Sequence, residues 1–186
     1  MELSRYRRPF ASLRRQLGQA SNVFRVAVAS LAITGAGLVA ILNREDYRGQ
    51  AYPDPVHGTK VPTIGFGSTE GVKMGDTITP VKAINRTLRE IRTKENAIKR
   101  CVHAPLASYE YDAFVRLAHN IGEGRFCSST AVRKVNALDY RGACDAILLF
   151  NRSGNQICSE PGNRVCSGLW KDRLETHKQC LGEGAS

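Results

Sequence analysis

Between Arg25 and Asn43 the chain carries 17 consecutive uncharged residues, Val26 to Leu42, and no other stretch limits its architecture so sharply. As one α-helix the run would measure about 25 Å, just short of the roughly 30 Å of a bilayer's hydrocarbon core. Val23, Phe24 and a snorkelling Arg25 bring it to spanning length. Its composition makes it weak, because nine of the 17 residues are Ala, Gly, Ser or Thr and only eight are strongly apolar. Each of those contributes roughly 0.3 to 0.6 kcal/mol to insertion, a total of only a few kcal/mol. The run therefore fits a weak membrane anchor. Arg5, Arg7, Arg8, Arg14, Arg15 and Arg25, against Glu2 alone, would set its N-terminal flank in the cytoplasm and the remainder outside. Two other readings stay open. One is a cleavable signal peptide, for which the end of the run offers poor small-x-small sites; the other is a buried N-terminal helix, which does not exclude an anchor. The expected organisation is a basic N-terminal segment over 1–25, a signal-anchor helix over 26–42 and one domain over 43–186.

The formal net charge is +10, half of it supplied by the first 25 residues, so the rest of the chain is basic without being extreme. Such a surface attracts nucleic acid, anionic lipid or an anionic cell wall. Without zinc-finger spacing or a basic stripe interleaved with stacking aromatics, nucleic acid is not an expected partner. Cys101, Cys127, Cys144, Cys158, Cys166 and Cys180 all fall in the second half, with no C-x-x-C pair. Even number and scattered spacing point to disulfides and an oxidising compartment, not to a metal site. Of the 15 formal pairings, only Cys158 with Cys166, across a Pro161-Gly162 turn, is suggested locally. No metal and no cofactor is expected.

Behind the apolar run stand Glu45, Asp54 and Thr63, at equal nine-residue steps. Helical periodicity is expected to end near Arg48-Gly49, and Pro53, Pro55, Gly58 and Pro62 then force turns and short extended pieces. This puts Glu45 at a helix end and Asp54 and Thr63 in a small β-rich lobe. Thr79 caps and Pro80 opens a long helix with an apolar stripe of Ile84, Leu88, Ile91 and Ile98. Further helices are predicted over 109–121, 130–136, 140–150 and 169–180, and a long polar loop from Cys158 to Cys166.

The run Tyr52-Pro-Asp54 and Thr63-Ile-Gly-Phe-Gly67 resembles the phage-type lysozymes, glycoside hydrolase family 24. The similarity continues through Tyr111-Asp-Ala-Phe114, Ala118-His-Asn-Ile-Gly122, Phe126-Cys-Ser-Ser-Thr130, Lys134-Val-Asn136 and Gly168-Leu-Trp-Lys-Asp-Arg173-Leu-Glu175, covering about 43 to 181. The resemblance implies an α+β, lysozyme-like fold, in which a long helix joins a small β-containing lobe to a larger helical lobe and a cleft lies between them. It implies a peptidoglycan-degrading N-acetylmuramidase, probing as monomer the glycan of the bacterial wall and exported through the inner membrane to the periplasm. Glu45 would be the general acid, Asp54 the base or charge stabiliser, and Thr63 the holder of the attacking water. Asn120, Phe66 and Tyr52 are expected to contact substrate. The resemblance further implies inversion at the anomeric carbon. Two features depart from the pattern: eight residues separate Asp54 from Thr63, a longer turn than usual, and Ser68 stands where a His is common.

Two competing functions are a lytic transglycosylase, which needs only the acid, and a non-catalytic cationic wall-binding protein. His57, His103, His119 and His177 lack ligand spacing and are expected on the surface or in the core, with only His57 a candidate for the cleft. Arg173 and Glu175 are expected to form an ion pair on the last helix.

Overall fold

Polar atoms inside the apolar run decide its conformation. The computed structural model describes residues 23–54 and 58–183, so the basic residues 1–22 and His57 lie outside the described residues. Val26 exchanges two backbone hydrogen bonds with Leu106 (2.9 and 2.8 Å), a 3₁₀ turn follows at Val28–Ser30, and helix α1 runs over Gly35–Glu45. Thr34 separates turn from helix: its backbone is extended and its Oγ1 accepts the Gly37 N–H at 3.0 Å, the arrangement of an N-cap. The single helix predicted over 26–42 is thus replaced here by a bridge, a turn and the first part of α1. The physical reason is that the Ser, Thr and Gly residues that weaken the run as an anchor also favour turns and caps. Among the described residues, no helix is long and apolar enough to cross a membrane. The helix ends at Glu45 and not near Arg48-Gly49, because Asp46 takes a left-handed φ of 49° and turns the chain into a strand.

Strands β1 (Arg48–Asp54) and β2 (Gly58–Gly65) form an antiparallel hairpin in which Tyr52 lies opposite Thr63 and Asp54 opposite Gly58. Helix α2 (Pro80–Cys101) leads from this small lobe, with Pro80 in its first turn as expected. Its buried row is Ala83, Thr87, Ile91, Glu95 and Ile98, whereas Ile84 and Leu88 are only half-buried. The expected stripe was rotated because Thr87 and Glu95, two polar residues, belong to the buried face.

The helical lobe consists of α3 (Ser108–Ile121), α4 (Glu123–Cys127), α5 (Thr130–Asn136), α6 (Tyr140–Asp145) and α7 (Ser167–Cys180). Helix α3 is its centre, packed against α1, α2, α4 and α7, with Tyr111, Phe114, Val115, Leu117 and Ala118 almost wholly buried. The helix predicted over 140–150 tightens into a 3₁₀ turn at Ala146–Leu149, and the short α4 was not foreseen. A ribbon of β3 (Arg152–Ser153) and β4 (Gln156–Ile157) precedes the Cys158 loop. Cys158 pairs with Cys166 as the local turn suggested, while Cys101–Cys127 and Cys144–Cys180 close longer loops. The architecture is the expected α+β one, with a small hairpin lobe and a larger helical lobe, and a cleft opens between the end of α1, the loop after β2, α2 and α3.

Candidate active site

Because α1 stops at Glu45, this carboxylate projects from a helix end over the loop that follows β2. Gly67 lies directly beneath it: a Cβ there would come 2.9 Å from Glu45 Oε2, and the backbone has φ of +81°. Only glycine meets both demands. Glu45 opens into a cavity of about 330 Å³ also lined by Gly67, Thr69, Glu70, Glu90, Lys94, His119 and Asn120. Burial pushes the Glu45 carboxyl above the usual carboxylate range; Arg44 opposes the shift and Asp172 adds to it. Arg44 reaches both, Nη1 at 3.2 Å from Glu45 Oε1 and Nε at 3.4 Å from Asp172 Oδ1.

Of the residues expected at the site, Glu45 and Asn120 meet in this cavity, while Asp54, Thr63 and Tyr52 stand on the hairpin, outside its lining. Burial raises the Tyr52 phenol, and the charges of Glu45 and Asp54 push it the same way, so Tyr52 lies within electrostatic reach of both carboxylates. Thr63 is only 4% exposed, and its hydroxyl donates a long 3.4 Å bond to the Val61 carbonyl. Asp54, half-buried, ends β1. Phe66 packs its ring on Tyr47, centroids 5.6 Å apart, forming part of the hairpin's aromatic flank. Asn120 does not depend on substrate for its orientation: its Oδ1 accepts a hydrogen bond from Arg173 Nη2.

Two expectations are corrected. His119, assigned to surface or core, lines the cavity; burial lowers its pKa, and its buried Nδ1 has no hydrogen-bond partner among the described residues. Its place one residue before Asn120, at the end of a helix reaching the cleft, was the available signal. Arg173 and Glu175 do not pair with each other, because residues two apart on a helix point in different directions. Arg173 instead pairs with Asp172 at 2.5 Å and donates to the Phe150 carbonyl at 3.0 Å, while Glu175 pairs with Arg116 at 3.1 Å. Burial brings the Arg173 guanidinium down to about 10. The importance of Arg44 and Asp172 was not legible in the sequence either. Among the described residues, no cluster of His, Cys, Asp or Glu is placed to hold a metal ion.

A family model described as phage lysozyme matches residues 43–175. The endolysin of Salmonella phage P22 is 34% identical over 129 residues, covering 67% of this chain and 86% of that protein. The SAR-endolysin of Pseudomonas phage phiKMV is 33% identical over 157 residues, 82% of this chain and 89% of that one. Among solved structures, the muramidase domain of SpmX from Asticaccaulis excentricus superimposes with a TM-score of 0.69 at 26% identity, covering 81% of this chain and 97% of the other.

Proposed function

We propose, from the premise that this chain belongs to the phage lysozyme family, that it is an N-acetylmuramidase cleaving the β-1,4 bond between N-acetylmuramic acid and N-acetylglucosamine. The premise itself makes the chain a peptidoglycan-degrading hydrolase; the bond and the mechanism are our reading. The observation that carries it is the environment of Glu45, a half-buried carboxyl at the wall of a cleft, raised above the usual range by desolvation. A carboxyl whose protonated form burial favours can give its proton to the glycosidic oxygen as the bond to the anomeric carbon breaks. Asp54, on the hairpin, then takes a proton from the attacking water or stabilises the oxocarbenium-like centre, and Thr63 positions that water. Attack from the side opposite the leaving group inverts the anomeric carbon. Asn120, and the aromatic faces of Tyr52 and Phe66, hold the sugars.

Digestion of purified peptidoglycan tests this directly. Free reducing N-acetylmuramic ends are expected among the products; anhydro-sugar ends would instead make the protein a lytic transglycosylase, a reading that Asp54 and Thr63 disfavour. Glu45→Gln is expected to lower the rate by about 10²–10⁴, the usual contribution of a general acid. Unchanged lysis by that variant would support a non-catalytic cationic wall-binding role.

The same reading extends to control. Residues 26–42 would hold the newly made chain at the inner membrane, inactive, until it leaves the bilayer for the periplasm, degrades the wall and lyses the host for phage release. Two observations support this. The second half of the apolar run is the first part of α1, the helix that ends in Glu45. The folded segment is also held by polar contacts that a membrane-spanning segment cannot make: Arg25 to Glu110 (2.6 Å), the Ile33 N–H to Glu95 (2.8 Å), and Thr34 to Asp112 through its N–H (2.9 Å) and hydroxyl (2.5 Å).

A further inference from the structure

Asp172 is 4% exposed, and arginines from three helices converge on it. Arg116 of α3 donates through Nε (3.0 Å) and Nη2 (2.7 Å), Arg173 of α7 through Nη1 (2.5 Å), and Arg44 of α1 comes within 3.4 Å through Nε. Arg116 alone would explain a structural ion pair between α3 and α7. The other two arginines do something different, since each carries a second contact into the cleft. Arg44 Nη1 lies 3.2 Å from Glu45 Oε1, and Arg173 Nη2 donates to Asn120 Oδ1. One buried carboxylate thus grips, through two guanidinium groups, both the candidate general acid and the polar residue that shares its cavity.

We propose that Asp172 is a positioning residue for catalysis: it divides Arg44 between itself and Glu45, and through Arg173 it fixes Asn120 in the cleft. The inference rests on the muramidase reading above. A guanidinium committed wholly to Glu45 would favour its ionised form and remove the proton that the reaction needs. Held by Asp172 at Nε, Arg44 offers Glu45 a shared cation, which orients the carboxyl while burial favours its protonated form. The other groups facing Glu45 are Tyr52 from β1, Glu70 from the loop after β2, Glu90 and Lys94 from α2, and His119 from α3. Of the charges around Glu45, those of Arg44 and Asp172 act on it with opposite sign.

This arrangement gives two neighbouring substitutions opposite effects on the same curve. The alkaline limb of the rate profile reports loss of the proton from the general acid. Asp172→Asn removes a negative charge near Glu45 and releases Arg44 towards it, and both changes favour ionised Glu45. The limb should therefore move to lower pH, by roughly one unit, the low end of what an ion pair does to a carboxyl group. Arg44→Gln removes the cation, and the limb should move to higher pH. In the double variant, Asp172→Asn should shift the limb less than it does alone, because Arg44 is no longer there to be released. Asp172→Glu, which keeps the charge, should stay near the parent curve.

The experiment is kcat and KM on purified peptidoglycan across the pH range for the parent and these variants, with Glu45→Gln alongside. If both single variants lower kcat while the limb stays in place, or if both move it the same way, Asp172 is merely structural and the proposal is overturned. Arg44→Gln leaves the Arg116–Asp172–Arg173 contacts intact, so it decides the matter alone should Asp172→Asn not fold: a limb that stays or falls overturns the proposal. Failure of the muramidase reading is separately visible: Glu45→Gln would retain activity in a non-catalytic protein, and anhydro-sugar ends would appear among the products of a transglycosylase.

Discussion

Residues 101–180 are closed by three disulfides, whereas residues 25–38, which lie against them, are held by hydrogen bonds to three buried carboxylates, Glu95, Glu110 and Asp112. The helical lobe is locked by bonds that persist once oxidised. The N-terminal segment is held by contacts that water or a membrane can exchange. Two of these carboxylates also accept from the rest of the fold: Glu95 receives the Tyr111 hydroxyl at 3.0 Å, and Glu110 receives the Ala107 N–H at 2.9 Å at the start of α3. The contrast shows how one fold can combine a permanent scaffold with a segment able to join it late. The part proposed to move contains no cysteine, and the part that would receive it holds all six.

Removing covalent closure should have the largest effect. From loop length, replacing Cys101 and Cys127, or Cys144 and Cys180, with Ser should cost about 3–4 kcal/mol, and the shorter Cys158–Cys166 loop about 2.5 kcal/mol. Against a typical stability of about 5–15 kcal/mol, losing either long-loop pair should remove a large share of it, lowering Tm markedly by circular dichroism. Full retention of the melting temperature would mean that packing alone maintains the lobe.

Attacking the segment's own contacts should cost less and leave the disulfides in place. A Cβ on Gly37 would lie 2.5 Å from Asp112 Cγ. Gly37→Ala should therefore cost about 1–3 kcal/mol through overpacking, lowering Tm by about 2–4 °C per kcal/mol. Thr34→Ala removes both the cap of α1 and the hydroxyl's bond to Asp112, while the backbone N–H bond stays, for about 1–2 kcal/mol. Gly35 has nothing within 4 Å of an added Cβ, and Ser30 is exposed. Leucine at both positions should change stability by no more than about 0.5 kcal/mol, yet strengthen the anchor and delay lysis. A delay accompanied by an equal fall in Tm would show that docking, not membrane retention, had been altered.

The smallest effect concerns the acid itself. Glu45 is raised in the folded protein, so the native state binds its proton more tightly than the unfolded chain. Its contribution to stability is then greatest at low pH and is lost as pH rises from the ordinary carboxylate range through the raised value. Glu45→Gln should consequently melt slightly higher than the parent at neutral pH, with the gap closing in acid. A gap independent of pH would mean that Glu45 is not held in its protonated form.

Much of this was legible in the sequence wherever a local signal carried it. Glu45 opened the three equal nine-residue steps, Asn120 fell within a motif, Thr79-Pro80 marked the start of α2, and a Pro-Gly turn joined Cys158 to Cys166. What escaped depended on distant partners. Cys101–Cys127 and Cys144–Cys180 follow from the packing of helices, which spacing cannot supply. Glu95, Asp112 and Asp172 carry no local signal of burial, yet each is buried where a donor from a remote segment meets it. The apolar run read as one helix because hydropathy ignores caps, whereas Thr34 finds its hydrogen-bond partners and breaks the run in two.

The central claim is that the helix presenting Glu45 to the cleft is built from the chain's own apolar run. Intact mass and specific activity, measured in parallel on the membrane-held and the soluble extracytoplasmic fractions, test it most directly. The account predicts one mass in both, with residues 1–42 retained, and activity per molecule confined to the soluble fraction. A soluble, fully active form beginning at or beyond Asn43 would contradict it, since that enzyme would present Glu45 without the rest of α1.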